Sequence, residues 1–316
     1  MIATLTLNPA IDLTVTVEGL ELGASHRVPA SRRRAGGKGV NVARVLHSQQ
    51  RPVLVVAPVG GTSGAEFAAE LESAGLPHAL VPGAAETRLS TSIFEADTGR
   101  ATLFNEYGSP LARETIDSLQ ALLRDLPDLG CLVISGSLPA GTEAGVMAEF
   151  VTLARERGVP TVVDTSGPAL LAAAGAGATL LKPNASELAA ATGQPDPARG
   201  IEALVAAGAH HVVVTAGAKG MLSTDGHVTR VALPPSGISG NPTGAGDAAT
   251  AAFALALTET GRPSLLDPAV LARAAAWSAS AVLTPVAGEL GPWRDLIDGV
   301  AVHTHTSGEG DDACPW

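Results

Sequence analysis

The chain has 316 residues, 46% of them apolar and only 3% aromatic, and a formal net charge of −11. That apolar content excludes wholesale disorder, and the acidic balance argues against nucleic acid or an anionic membrane as partner, since both need a broad basic face. Two cysteines, Cys131 and Cys314, exclude a disulfide scaffold. No segment reaches the roughly 20 uninterrupted apolar residues of a membrane span, and MIATLTLNPAID has no basic leader region. The expectation is a soluble, cytoplasmic protein with a core of Ala, Val and Leu.

From the N-terminus, residues 2–7 (IATLTL) predict a strand that stops at the Asn8-Pro9 turn signal. Residues 13–34 alternate polar and apolar side chains among Gly and Pro and predict short strands outside the main sheet. Lys38 to Gln50 predicts a helix opening after Gly36-Gly37, with Val40, Val42 or Ala43, and Leu46 near helical spacing. The run 52–60 predicts a buried strand, and 64–74 an Ala-rich helix. Residues 87–107 break this rhythm with two strands turning at Asp97-Thr98-Gly99. Helices are then expected at 113–124, 143–157, 168–174, 184–192, 197–207, 246–258 and 267–283. Between them fall strands at 131–135, 161–164, 179–181 and 211–215, and a strand pair within 220–233. This alternation predicts an α/β fold, a doubly wound, mostly parallel sheet flanked by helices. The domain is expected to span 1–302, with 13–34 and 87–107 as a small β-sheet lid and 303–316 as an unstructured tail.

Four motifs, three of them glycine-bearing, stand at strand-to-helix or strand-to-strand turns. In Asn241-Pro-Thr-Gly-Ala-Gly-Asp247, Gly244 and Gly246 let successive N–H groups converge at a helix start, where the dipole also favours an anion. Asp247 in the first turn can take a proton from a hydroxyl attacking a phosphorus. The alternative is a tight turn followed by an ordinary N-terminal helix acid. Ala35-Gly-Gly-Lys38-Gly-Val-Asn41 offers close backbone approach, a point charge and an amide one helical turn on. It is not a Walker A loop, because Gly39 follows the lysine.

Lys182-Pro-Asn184-Ala-Ser-Glu187 reads as a capping box, or as phosphate and Mg²⁺ recognition, and the two are compatible. Thr215, Gly217 and Gly220 close the strand VVVT, where a ribose or phosphate fits, although a plain hairpin is the other reading. Asp12, Ser135-Gly-Ser137-Leu-Pro139 and Asp164-Thr-Ser-Gly167 also follow strands. Arg32, Arg33 and Arg34 read as a solvated face or an electrostatic funnel, and His303 and His305 lack a third metal ligand. The chain has 17 arginines and three lysines, Lys38, Lys182 and Lys219, and all three lysines fall inside these motifs. Phosphate coordination by a compact ammonium accounts for that placement.

In order and spacing, LNPAID (7–12), AGGKGVNVARVL (35–46), TR (87–88), SGSLPAG (135–141), DTSGPAL (164–170), KPNASEL (182–188), TAGAKG (215–220) and NPTGAGDA (241–248) resemble the ribokinase-like carbohydrate kinases. Within that family the chain is most similar to the 1-phosphofructokinase and tagatose-6-phosphate kinase branch. The resemblance implies ATP and Mg²⁺, a lid that often joins a homodimer, and a small sugar phosphate as acceptor. It implies Asp247 as catalytic base with Gly244, Ala245 and Gly246 as anion hole. Asp12, Gly37, Lys38, Asn41, Arg88, Asn105 and Ser137 would bind the sugar phosphate, with Lys38 and Arg88 on its phosphate. Lys182, Asn184, Thr215, Gly217 and Gly220 would bind ATP, and Glu187 the Mg²⁺ through water.

The chain departs from the family pattern at Ala248, where a hydroxyl or thiol is usual, and at Ser90 and Ser92, where the branch often carries Asn and then Lys. The expected reaction is phosphorylation of fructose 1-phosphate to fructose 1,6-bisphosphate. Tagatose 6-phosphate, fructose 6-phosphate and a free ketohexose are alternative acceptors. A non-catalytic sugar-phosphate sensor would predict damage to Asp247 or its glycines, and a nicotinamide dehydrogenase would need a GxGxxG turn after the first strand; neither is present.

Overall fold

The computed structural model describes residues 1–98, 100–259 and 264–305. Gly99 of the expected turn and residues 306–316 of the expected tail lie outside them. The first half of the chain folds as β1 (Ile2–Leu5), β2 (Ala10–Val17), β3 (Arg32–Gly36), α1 (Lys38–Ser48), β4 (Val53–Val59), α2 (Gly61–Ser73), β5 (His78–Pro82), β6 (Arg88–Glu95), β7 (Ala101–Asn105), α3 (Arg113–Asp125), β8 (Cys131–Ser135) and α4 (Gly145–Glu156). The second half continues with β9 (Thr161–Asp164), α5 (Pro168–Gly175), β10 (Leu180–Leu181), α6 (Ala185–Thr192), α7 (Pro197–Ala206), β11 (Val212–Thr215), β12 (Met221–Thr224), β13 (Thr229–Leu233), α8 (Ala245–Ala256), α9 (Pro268–Val282), α10 (Arg294–Ile297) and β14 (Ala301–His305).

The main sheet has ten strands in the order β14-β13-β12-β11-β10-β9-β8-β1-β4-β5. It is parallel from β11 to β5 and antiparallel across β12, β13 and β14. Strand pleating sends alternate side chains to opposite faces. Ile2, Val53, Val55 and Val133 therefore join a core with α1, α2, α8 and α9, while Ala3, Leu5, Leu132 and Ile134 join a second core with α3, α4, α5 and α7. Both faces being covered explains why the parallel strands read as unbroken apolar runs. Chain order reverses between β1 and β8, so a crevice opens there at the carboxyl ends of the strands.

A separate four-stranded sheet, β3-β2-β6-β7, is built from the two polar segments. Its register sets Arg34, Asp12, Ser90 and Asn105 side by side in one row, hence on one face. The opposite face packs Ile11, Ala35 and Leu89 onto the core beneath α1 and α2.

Three parts of the fold differ from expectation. Residues 18–31 carry no strand, so this sheet uses only the two ends of the segment 13–34, and β2 starts earlier, at Ala10. Strand β5 (HALVP) was not expected; it is an edge strand, where a proline is tolerated and a short run carries little pattern. Residues 303–305 were expected in the tail but lie in β14, which pairs with β13 from Leu233↔Ala301 to Thr229↔His305. The exposed His303 and Thr304 suit a polar edge strand. Among the described residues, no helix is long and apolar enough to cross a membrane.

Candidate active site

Asn8, Ser137, Asp164, Lys182 and Thr215 all stand at or just beyond the carboxyl ends of neighbouring strands, and the starts of α1 and α8 close over them. Helix α8 starts from Gly244, whose φ of 88° is a left-handed conformation that suits glycine; a Cβ there would also press on Ala287. Every residue from Asp247 to Ala256 is buried, so small alanines let α8 run close to α1 and α9. The Ala245 N–H donates to Pro242 O at 3.2 Å. The Gly246 and Asp247 amides, in the first helical turn, have no acceptor within the helix and are the groups left to meet an anion.

Asp247 is 6% exposed and accepts from Asn41 Nδ2 at 2.9 Å. Burial, reinforced by the negative charge of Asp164, pushes its carboxyl up to about 6, against the pull of Lys38, Asn41 and Lys182. A carboxylate with that affinity is matched to accepting a proton near neutrality.

Asp164 is the hub of the cluster. Its Oδ1 accepts from Lys38 Nζ at 3.0 Å, and its Oδ2 from Lys182 Nζ at 2.8 Å and Thr250 Oγ1 at 3.1 Å. Burial works against its charge, but the two lysines outweigh it and hold the carboxyl well below the usual range. Lys38 also donates to Glu187 Oε1 at 3.0 Å. Burial opposes its charge too, and Asp164, Glu187 and Asp247 outweigh that, so the ammonium stays protonated far above its ordinary range.

The capping-box reading of Glu187 holds and uses one carboxylate oxygen. Oε2 accepts from Asn184 N at 2.9 Å, and Asn184 Oδ1 accepts from Glu187 N at 2.8 Å, so the box is complete while Oε1 faces the cluster. Mg²⁺ commonly binds through one or two carboxylates, several waters and substrate phosphates. Glu187 beside an anion-binding helix start fits that pattern, and among the described residues no group of three His, Cys, Asp or Glu forms a closed cage. Thr215 ends β11 and bridges to Asn184, while Gly217 and Gly220 take φ of 58° and 88° in the turn that follows.

The remaining predicted residues line the small sheet. Arg88 donates to Asn8 Oδ1 at 2.9 Å, to Asn8 O and to Glu106 O, all neutral oxygens. Asn8 Nδ2 reaches Tyr107 O and, at 3.4 Å, Ser137 Oγ. Asn105 Oδ1 accepts from Ser90 Oγ at 2.8 Å. Burial pushes the Asp12 carboxyl up to about 6, against Arg88, Ser90, Arg34 and Arg44. Lys38 and Arg88, expected to share one phosphate, are thus held by different partners. Asp164, Asn8 and Thr250 take larger parts than the sequence suggested; the first two showed only as members of the motifs DTSGPAL and LNPAID after strands, and the third as a lone threonine in an alanine helix.

Gly36 lies against the Asp12 carboxylate, where a Cβ would collide with it. Gly36→Ala is therefore expected to displace Asp12 and, on the sugar-site role that the resemblance implies for Asp12, to raise the sugar KM about tenfold or more with little change in ATP KM, a misplacement effect; equal KM values in variant and wild type would remove Asp12 from that role.

A buried carboxylate at a helix start, beside two lysines held by a strand-end aspartate, is an arrangement suited to phosphoryl transfer to a small-molecule hydroxyl. The comparisons narrow that class. Residues 5–290 match the model of the pfkB family carbohydrate kinases. A 1-phosphofructokinase of Rhodobacter capsulatus is 38% identical over 301 residues, covering 92% of each chain. An ATP-dependent 6-phosphofructokinase isozyme 2 of Mycobacterium tuberculosis is 33% identical, over 90% of this chain and 84% of its own. The tetrameric inhibited form of Escherichia coli phosphofructokinase-2 superposes with a TM-score of 0.82 at 30% identity, over 89% of this chain and 94% of that one. The chain belongs to the pfkB family of carbohydrate kinases and is a sugar phosphotransferase.

Proposed function

We propose that the chain transfers the γ-phosphoryl group of ATP to a hydroxyl of fructose 1-phosphate, giving fructose 1,6-bisphosphate. The observation that carries this is Asp247, buried at the start of α8 with its carboxyl raised to about 6 and oriented by Asn41. The acceptor hydroxyl gives its proton to Asp247 as its oxygen attacks phosphorus; the bond from phosphorus to the ADP oxygen breaks, and ADP leaves with that electron pair. The Gly246 and Asp247 amides, rather than that of Ala245, and Lys38 face the charge spread over the moving phosphoryl group. Lys182, Asn184, Thr215, Gly217 and Gly220 hold ATP. Mg²⁺, held by Glu187 through water and by the phosphates, would neutralise phosphate charge.

Arg88 receives the phosphate already on the sugar, because its hydrogen bonds reach only neutral oxygens, while Asp12 and Glu106 act on its charge through space without pairing directly with it. Asp12, Gly37, Asn105 and Ser137 line the sugar between these ends. Lys38 is assigned to the transferring phosphoryl group instead, because Asp164, Glu187 and Asp247 surround it. The small sheet serves as a lid, and its exposed Leu103, Phe104 and Tyr107 suit a homodimer contact. The reaction belongs in the cytoplasm, where ATP is plentiful.

The test is ATP consumption with Mg²⁺ against fructose 1-phosphate, fructose 6-phosphate, tagatose 6-phosphate and the free ketohexoses. The expected result is a clear preference for fructose 1-phosphate. The 6-phosphofructokinase relative makes fructose 6-phosphate the second reading, and preference for it would replace the first. Arg88→Ala is expected to raise KM for the phosphorylated acceptor about 100-fold, the loss of a charge-assisted pair. An equal rise for the matching free sugar would take the phosphate away from Arg88.

A further inference from the structure

Helix α8 is apolar almost throughout, yet one turn beyond its first residue it buries a hydroxyl. Thr250 is 0% exposed, and its Oγ1 lies 3.1 Å from Asp164 Oδ2 and 3.0 Å from Gly246 O. A hydroxyl carries a single proton, and an ionised carboxylate is a stronger acceptor than a helical carbonyl. The proton therefore goes to Asp164. Ala248, the residue after Asp247, brings no hydroxyl to the site, so among the described residues Thr250 is the hydroxyl that ties α8 to the charged cluster.

The consequence is geometric. Asp164 sets the tips of Lys38 and Lys182, and each of those tips ends a flexible four-carbon stem. Asp247 is fixed by the backbone of α8. The Thr250 hydroxyl is the direct link from that helix to Asp164, and it lies three residues from the base. We propose that Thr250 is a positioning residue for phosphoryl transfer: its hydroxyl holds Asp164, and through it Lys38 and Lys182, in fixed relation to Asp247. The role in turnover rests on the kinase reading above; the role in organising the two lysines does not.

Thr250→Val keeps the shape and removes the hydroxyl, whereas Thr250→Ser keeps the hydroxyl and removes a methyl. In the full-length protein, Thr250→Val is expected to lower kcat about tenfold, the loss of one hydrogen bond to a charged group, with the sugar KM unchanged. It is also expected to weaken binding of AMP-PNP with Mg²⁺ about threefold or more by calorimetry, because both lysines face the phosphates. Thr250→Ser is expected to stay within about twofold of wild type in both readouts. Wild-type AMP-PNP affinity in Thr250→Val, or a serine variant as impaired as the valine one, overturns the proposal. AMP-PNP binding needs no acceptor. A wild-type protein that turned over none of the sugars would therefore defeat the kinase reading while leaving the Thr250 test to be decided on affinity.

Discussion

Asp247→Asn is expected to lower kcat about 1,000-fold, within the range for loss of a general base, and at the same time to make the protein more stable at pH 8. The first effect follows from removing the proton acceptor while keeping the oxygen that Asn41 grips. The second follows from the raised carboxyl. The ordinary value of 3.8 rises to about 6 in the folded chain, so the folded state holds its proton more tightly than the unfolded one. Above pH 6 the folded protein must carry a buried charge that the unfolded chain carries freely in water. At roughly 1.4 kcal/mol per unit, that penalty is about 3 kcal/mol. It shrinks as pH falls through 6 and vanishes below about 4, where both states are protonated. Denaturant unfolding of wild type and variant at pH 8 and pH 4 checks this: a gap at pH 8 that closes at pH 4 is expected, and a variant less stable than wild type at pH 8 would refute it. For the wild type, kcat/KM should fall as pH drops below about 6, with Asp12 titrating in the same range.

Asp164→Asn is expected to act in the opposite direction and to cost about 3–5 kcal/mol of stability, as breaking a buried ion pair does. The Lys182 side chain is 3% exposed and has Asp164 as its partner, so the variant strands an ammonium in the interior. Lys38 loses less, since Glu187 remains. The Asp164 carboxyl is held below its ordinary range, so its contribution is complete above about pH 4 and drains away as the solution becomes more acid. A double variant, Asp164→Asn with Lys182→Met, is expected to recover part of the loss by removing the stranded charge. If the double variant were less stable than the single one, the ion pair would not be the source of the cost.

These two carboxylates show where the sequence could be read and where it could not. Asp247 stood in a glycine turn before an alanine-rich helix, and that local pattern placed it correctly at the start of α8. The parallel sheet was legible for a similar reason: strands buried on both faces appear as apolar runs, as in Val212–Thr215 and Cys131–Ser135. The links that make Asp164 a hub were not legible in its motif, because Lys38 and Thr250 lie 126 and 86 residues away. The separation of Lys38 from Arg88 was hidden likewise, since each is fixed by distant chain. Edge strands β5 and β14 were missed because a polar or proline-containing run five residues long resembles a loop.

The scarcity of lysine also has a practical side. Lys182 is buried, and Lys38 is locked as an ammonium between acids, so neither offers the free amine that acylating dyes require. Lys219 is exposed, in the turn after β11 next to the residues assigned to ATP. Apart from the chain's own amino end, succinimidyl reagents should therefore mark one side chain among the described residues. A fluorophore placed there would sit at the rim of the nucleotide site and report its filling without any engineered cysteine.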